Sequence, residues 1–424
     1  MDIKITPARL KGNVDIPSSK SVAHRALICA ALAGGKDEES MISGISWSKD
    51  IDATIDAMFA LGAGFLVGQH DGMTQHVMGI NSNLSEHFGL KKPEKAVIDC
   101  NESGSTLRFI IPVAAALGIE TEFHGRGRLP QRPIDIYIRE LGKHGITFDY
   151  NNTMPFTMSG QLKNGVYEIE GNVSSQFITG LLFALPMLDG DSEIVLTSHL
   201  ESRPYVDITI DVLKRFGVTI DETENGFRVK GNQTYRPHSE KIEGDYSQAA
   251  FFYVANALGS SVTLGNLNPD SVQGDKKVLD IIENMCYNGN IGSFRADFSD
   301  IPDLVPVLAV LAAFGSAESV IYNAERLKIK ESNRLETTAA LINNLGGNAE
   351  VTDDGLIIRP TGTMHGGTVD SYGDHRIVMA AAVAATKTDG NVIIKGAEAV
   401  EKSYPDFFKD YKNLGGKINV INLE

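Results

Sequence analysis

The sequence predicts an α/β (α+β) fold of six repeated units, a number that suits two domains of three. Two series of helix signals carry this expectation, and a set of short strand-like runs completes it. The first series is a small or polar start followed by an apolar, Ala/Leu-rich stretch. It recurs at residues 18–33, 104–117, 174–188, 245–258, 300–314 and 373–385. The second is an amphipathic helix closed by glycine, at Gly62, Gly142, Gly217, Gly289, Gly346 and Gly415. Glycine past the last turn takes the left-handed conformation without a Cβ penalty. Successive starts lie 55 to 86 residues apart and successive terminators 57 to 80, so the two series march in step.

Strand-like runs fall between the helices, at 193–197, 218–221, 261–264, 319–322, 356–359 and 391–394. One unit therefore reads as helix, strand, helix, strands. The first-series helices are apolar nearly all round and should be buried; the second series should cover the outside. The polar stretch 232–241, between the third and fourth units, reads as a linker.

A length of 424 residues suits two or three domains. Hydrophobic residues at 42% and charged residues at 22% exclude a disordered chain. Acids outnumber bases, 54 to 39, so a nucleic-acid partner is not expected. The apolar run at 307–314 is far shorter than the ~20 residues of a membrane span. The first ten residues, with Asp2, Lys4 and Arg9, do not read as a secretory signal. Cys29, Cys100 and Cys286 form no Cys-x-x-Cys pair, which argues against a zinc or dithiol site and for a reduced, cytoplasmic setting. His70 and His76 read as loop residues.

The bases are not spread evenly. Lys20 and Arg25 open the first apolar helix, and Arg108 lies in the second, followed by Arg126, Arg128 and Arg132. Lys328, Lys330 and Arg334 cluster, then come Arg376 and Lys402. Any one of them alone reads as a solvated surface charge. Their equivalent places in successive repeats, beside helix N-termini, point instead to a ligand with several negative charges, such as phosphates and carboxylates.

Seven motifs stand out, six of them carrying all of these bases but Arg126. They are Ile16-Pro-Ser-Ser-Lys-Ser-Val-Ala-His-Arg25, Asn101-Glu-Ser-Gly-Ser-Thr-Leu-Arg108, Arg128-Leu-Pro-Gln-Arg-Pro133, Gly171-Asn-Val-Ser-Ser-Gln-Phe177, Lys328-Ile-Lys-Glu-Ser-Asn-Arg334, Gly373-Asp-His-Arg376 and Lys402-Ser-Tyr-Pro-Asp-Phe407. In this order the chain resembles the 5-enolpyruvylshikimate-3-phosphate synthase family, over residues 4–408. The resemblance implies two domains of three βαβαββ-type units, with buried parallel helices in an inside-out, barrel-like arrangement and the active site in the cleft between the domains. It divides the chain into 1–19 plus 234–424, and 20–233.

It further implies transfer of the enolpyruvyl group of phosphoenolpyruvate to the 5-hydroxyl of shikimate 3-phosphate, with release of phosphate through a tetrahedral intermediate. No metal or organic cofactor is implied, and the chain is expected to work as a monomer without a membrane partner. By resemblance Asp303 is the base at the substrate hydroxyl, where a helix-start acid is the plainer reading. Glu331 exchanges a proton with the methylene carbon, against the plainer reading of an ion pair with Lys330 or Arg334. Lys20 touches both substrates and aids proton transfer.

Phosphoenolpyruvate would meet Lys20, Gly104, Arg132, Gln176, Arg334, Arg376 and Lys402. Shikimate 3-phosphate would meet Lys20, Ser21, Arg25, Ser174, Ser175, Gln176, Ser202, Tyr205, Asp303, Arg326 and Lys330. For Arg108 a structural role is as good a reading as a ligand contact. Ser18, Glu102, Phe109 and Asn333 depart from the family's commonest pattern. Two rivals remain: enolpyruvyl transfer to a UDP-amino sugar, and a non-catalytic anion-binding clamp. Lys20-Ser21 stands where the first rival carries Lys-Asn. The presence of Asp303, Glu331 and Lys20 weighs against the second.

Overall fold

The computed structural model describes residues 1–34, 38–68, 73–80, 82–287 and 289–421. The chain divides into two compact units: Met1–Pro17 with Gly244–Glu424, and Ser18–Glu243. The resemblance places the crossings at 19/20 and 233/234, whereas they fall at 17/18 and 243/244. The stretch after 233 stays with the Ser18–Glu243 unit because its backbone is bonded there. Arg236 N–H donates to Phe216 O at 2.8 Å, and strand Glu240–Lys241 pairs in parallel with Ser40–Ser43.

The repeat is visible in the sheets. Among the described residues, five four-stranded sheets share one pairing pattern: parallel, antiparallel, antiparallel. Lys95–Asp99, Glu120–His124, Phe156–Gly160 and Ile146–Asp149 form one of them in that spatial order. Helix Gly104–Leu117 makes the parallel crossover, and helix Asp135–Lys143 leads into the final hairpin. That is a βαβαββ unit. N-terminal strand Asp2–Thr6 sits in the sheet with Val392–Lys395 and Lys417–Ile421, both antiparallel to it. The unit starting at helix Tyr246–Ala257 is abridged, keeping the parallel pair of Ser261–Gly265 with Lys11–Asp15 and a two-residue hairpin. It is also the unit with the shortest spacing in the sequence.

The first-series helices form as Lys20–Leu32, Gly104–Leu117, Ser175–Ala184, Tyr246–Ala257, Val305–Ala313 and His375–Ala384. Every residue of Val305–Ala313 is buried, as expected of a helix without a polar face. Each unit has its own hydrophobic core. No helix among the described residues is long and apolar enough to cross a membrane.

Four of the glycine terminators, Gly62, Gly217, Gly346 and Gly415, follow their helices with positive φ. Two do not. Gly142 lies inside helix Asp135–Lys143, and Gly145 (φ +94°) makes the turn instead. Gly289 belongs to the hairpin between Cys286–Tyr287 and Asn290–Ile291, since helix Val278–Met285 ends directly in an extended Cys286. The 218–221 run is strand only from Asp221 onward. His76 lies on strand Gln75–Met78, not in a loop, and His70 falls outside the described residues.

Candidate active site

In the Ser18–Glu243 unit the site is built on helix N-termini. Ser19 caps helix Lys20–Leu32 by accepting from Val22 N–H. Lys20, in the first turn, donates Nζ to Asp50 Oδ2 at 2.8 Å. Arg25, one turn further, is 3% exposed. It donates Nε to Thr209 Oγ1 at 2.8 Å, Nη1 to Ser21 O at 2.7 Å and Nη2 to Tyr205 O at 2.9 Å. Its guanidinium lies over the Phe109 ring, 5.1 Å from the centroid. Burial pushes its pKa down to about 10, so it stays charged at neutral pH. Ser202 (φ +54°) opens helix Arg203–Arg215 and accepts from Tyr205 N–H at 3.0 Å.

Helices Gly104–Leu117 and Ser175–Ala184 meet unusually closely, and two residues permit it. Pro112 has no N–H, which releases the carbonyl of Arg108 from the helix ladder. Tyr137 Oη lies 2.8 Å from that carbonyl and 2.8 Å from Phe177 O. Gly180 faces the same point: a Cβ there would stand 2.3 Å from both Arg108 O and Tyr137 Oη. The close approach brings Arg108 Nη1 to Gln176 Oε1 at 2.7 Å, while Gln176 Nε2 donates to Ser105 Oγ at 3.0 Å. A Cβ on Gly104 would meet Arg132 Nη1 at 2.5 Å. Gly104, Arg108, Arg132 and Gln176 therefore converge on one helix start. Ser174 caps the other helix by accepting from Gln176 N–H, and Ser175 is buried in its first turn. Burial, then Arg132, pushes the Arg108 pKa down to about 9.

In the other unit opposite charges cluster around the buried side chains of Arg334, Asp374 and Arg376. Asp303, in the 3-10 turn Pro302–Leu304, accepts from Arg334 Nη1 at Oδ1 and from Arg376 Nη2 at Oδ2, both at 2.8 Å. Lys330 Nζ stands 3.7 Å from Oδ1. Arg334 Nη2 also donates to Glu331 Oε2 at 2.6 Å. Asp374 takes Arg334 Nε at 2.8 Å and caps helix His375–Ala384 through Arg376 N–H. Burial opposes ionisation of Asp303, but Arg376, Lys330 and Arg334 outweigh it and hold its carboxyl well below the usual range. Burial lowers Lys330, with Asp303 opposing. Lys402 Nζ donates to Gly373 O at 3.1 Å, and Arg326 Nη2 to Ser299 O at 3.0 Å. Lys328 turns elsewhere, to Asp353 O.

Sequence reasoning missed three acids. Asp50 reads as an ordinary first-turn acid behind the Ser48 cap. Asp374 lies in the Gly373-Asp-His-Arg376 motif, which marks only Arg376 as a ligand contact. Asp275, 5% exposed, accepts from Ser247 Oγ and lies in the field of Asp303 and Arg376; no local signal marks it. Three of the four departures have a structural use. Ser18 and Ser46 exchange N–H to Oγ bonds at 2.8 and 2.7 Å. Phe109 is the ring beneath Arg25. The Glu102 carboxylate packs against Gly127, where a Cβ would stand 2.6 Å from it. Nothing in the structure explains Asn333, whose Oδ1 is buried with no hydrogen-bond partner among the described residues.

Repeated βαβαββ units that gather arginines, lysines and ionised carboxylates at helix starts define a protein built for phosphate- and carboxylate-bearing small molecules. The family model described as EPSP synthase (3-phosphoshikimate 1-carboxyvinyltransferase) matches residues 5–411. A Clostridium novyi protein named 3-phosphoshikimate 1-carboxyvinyltransferase is 44% identical over 434 residues, covering 99% of this chain and 98% of that one. A Clostridioides difficile protein of the same name is 43% identical, with 99% of each covered. A solved EPSP synthase from Acinetobacter baumannii aligns with a TM-score of 0.81 at 24% identity, covering 99% of this chain and 100% of that one. The enolpyruvyl transferase NikO from Streptomyces tendae aligns at 0.78 and 16%, covering 100% and 99%. At such identities the solved structures speak for the fold alone. The chain belongs to the EPSP synthase family.

Proposed function

We propose that this chain transfers the enolpyruvyl group of phosphoenolpyruvate to the 5-hydroxyl of shikimate 3-phosphate and releases phosphate. The observation that carries the chemistry is one guanidinium, Arg334, shared by two carboxylates suited to proton transfer, Asp303 at 2.8 Å and Glu331 at 2.6 Å.

In this reading phosphoenolpyruvate is held by Lys20, the Gly104 helix start, Arg132 and Gln176 from one unit, and by Arg334, Arg376 and Lys402 from the other. Shikimate 3-phosphate is held by Lys20, Ser21, Arg25, Ser174, Ser175, Gln176, Ser202 and Tyr205, and by Asp303, Arg326 and Lys330. In the addition, Asp303 takes the hydroxyl proton as its oxygen bonds to C2 of phosphoenolpyruvate. Glu331, with Lys20, delivers a proton to the methylene carbon. In the elimination a methyl proton returns to Glu331, the C2–O bond to phosphate breaks, and the leaving phosphate takes up the proton held by Asp303. The cations stabilise the phosphate throughout. The proton count closes without a redox step.

A carboxylate as strongly ionised as Asp303 is a weak base. Anionic substrates that draw Arg376, Arg334 and Lys330 onto their own oxygens would remove its counter-charges and raise its proton affinity. The same shift would withdraw Arg334 from Glu331 and let that carboxyl hold a proton. Action as a cytoplasmic monomer belongs to the same reading; it is supported by the acidic composition and three free cysteines.

The test is phosphate release by purified protein given phosphoenolpyruvate and shikimate 3-phosphate, with UDP-N-acetylglucosamine as a parallel acceptor. Release that depends on shikimate 3-phosphate is expected. Release only with the sugar nucleotide would overturn the acceptor, and release with neither would favour the anion-binding clamp.

A further inference from the structure

Two pairs of threonines lie in the core of the Ser18–Glu243 unit, outside the chemistry above. Thr54 and Thr106 bring their Oγ1 atoms to 2.7 Å, and Thr179 and Thr209 to 2.9 Å. All four are fully buried. Each pair joins an outer helix to an inner one: Lys49–Ala60 to Gly104–Leu117, and Arg203–Arg215 to Ser175–Ala184. Consecutive residues of helix Lys20–Leu32 close them. His24 Nδ1 lies 2.7 Å from Thr54 Oγ1, and Arg25 Nε donates to Thr209 Oγ1 at 2.8 Å.

The donors can be ordered, since each hydroxyl has one proton. In the first column Thr106 Oγ1 donates to Ser103 Oγ at 2.8 Å. Thr54 then donates to Thr106, and His24 Nδ1–H to Thr54. His24 Nε2 is left as a bare acceptor, with no hydrogen-bond partner among the described residues. Burial pushes the His24 pKa down to about 3, with Asp50 opposing, which agrees with a neutral ring. In the second column Thr209 donates to Tyr205 O at 2.9 Å, and Thr179 to Thr209.

The columns end at different places. Ser103 is the N-cap of the helix that begins at Gly104. Thr106 Oγ1 also stands 3.4 Å from Asp50 O, on the residue whose carboxylate takes Lys20. The second column ends at Arg25 and Tyr205, and Thr179 lies on the helix capped by Ser174.

We propose that the two columns are positioning elements, one for each substrate. His24, Thr54 and Thr106 set the Gly104 helix start, through its Ser103 cap, for phosphoenolpyruvate; Thr209 and Thr179 set Arg25 for shikimate 3-phosphate. A valine would fill either threonine site equally well, so packing alone does not call for hydroxyls there. The proposal rests on the substrate assignment above.

Steady-state kinetics with each substrate varied in turn tests it. Thr54→Val is expected to raise KM for phosphoenolpyruvate about tenfold while that for shikimate 3-phosphate stays within about twofold, a displacement of binding groups being enough for such a loss. Thr209→Val is expected to do the reverse. Thr54→Ser and Thr209→Ser, which keep the hydroxyl, should stay near wild type. If melting curves show Thr54→Val unfolded, Thr106→Val breaks the same column and carries the same expectation. Both KM values rising together in either valine variant, or kcat falling with both unchanged, would overturn the proposal. Failure of the functional reading would show separately, as absence of turnover in the wild-type protein, and would remove this proposal with it.

Discussion

Arg334 Nε donates to Asp374 Oδ2 at 2.8 Å, and both side chains are shut off from solvent. The same guanidinium reaches Asp303 and Glu331, so one cation serves three carboxylates. Removing it would leave the buried Asp374 carboxylate without its cation. Arg334→Met is therefore expected to cost about 3–5 kcal/mol, read by chemical denaturation, with turnover lost. Arg334→Lys keeps the charge but cannot reach three acceptors from a planar fork. It should fold and still lose turnover by about a hundredfold or more.

Lys20→Met and Glu331→Gln separate chemistry from stability. Lys20 pairs with Asp50 at a partly exposed position, and such pairs contribute about 1 kcal/mol or less. The melting temperature should hardly move in either variant. Turnover should fall about 10²–10⁴-fold in each, the usual range for a proton-transfer group. Near-normal kcat would remove the assigned roles.

The repeat was legible because helix periodicity and glycine caps are local signals. Gly142 and Gly289 misled because a glycine in sequence does not reveal its φ: one continues a helix and the other turns a hairpin. The bases at helix starts were legible as a set. The acids that hold them were not. Asp50 and Asp374 look like helix-start residues, and Asp374 does cap a helix; that each also faces a cation depends on which helix lies opposite. Tyr137 and the four threonines are likewise defined by partners 29 or more residues away.

Gly180→Ala tests the helix contact that sets Arg108 against Gln176. An alanine Cβ would stand 2.3 Å from Arg108 O and Tyr137 Oη and 2.8 Å from Pro112 Cγ. Backbone lines one side of that gap, so the helices must separate. Overpacking of this kind costs about 1–3 kcal/mol. Denaturation should show that loss, and KM for phosphoenolpyruvate should rise with it. A rise in stability would mean that the glycine is there for another reason.

His24 makes the protein acid-sensitive. Its folded pKa of about 3 lies below the unfolded 6.5 because burial disfavours the imidazolium, with Asp50 opposing and Lys20 and Arg25 reinforcing. Between those values the unfolded chain binds the extra proton. The contribution to stability is therefore complete above pH 6.5 and is lost as pH falls towards 3, by about 4–5 kcal/mol in all. His24→Gln should flatten the stability profile across that window, as measured by denaturation at successive pH values.

Asp275 works in the opposite direction. Burial, then the negative charge of Asp303, raises its carboxyl from 3.8 to about 7, against the pull of Arg376 and the Ser247 hydroxyl. Between those values the folded protein holds the extra proton. The stabilising effect is complete below pH 3.8 and is lost as pH rises through 7, by at most about 4 kcal/mol. Asp275→Asn supplies a neutral group of the same shape that can still accept from Ser247. It should raise the melting temperature at pH 8 and change it little at pH 5. An equal loss at both values would mean that the carboxylate is needed ionised, as a counter-charge for Arg376. A gain only at pH 8 would mean that the site tolerates the acid at the expense of stability.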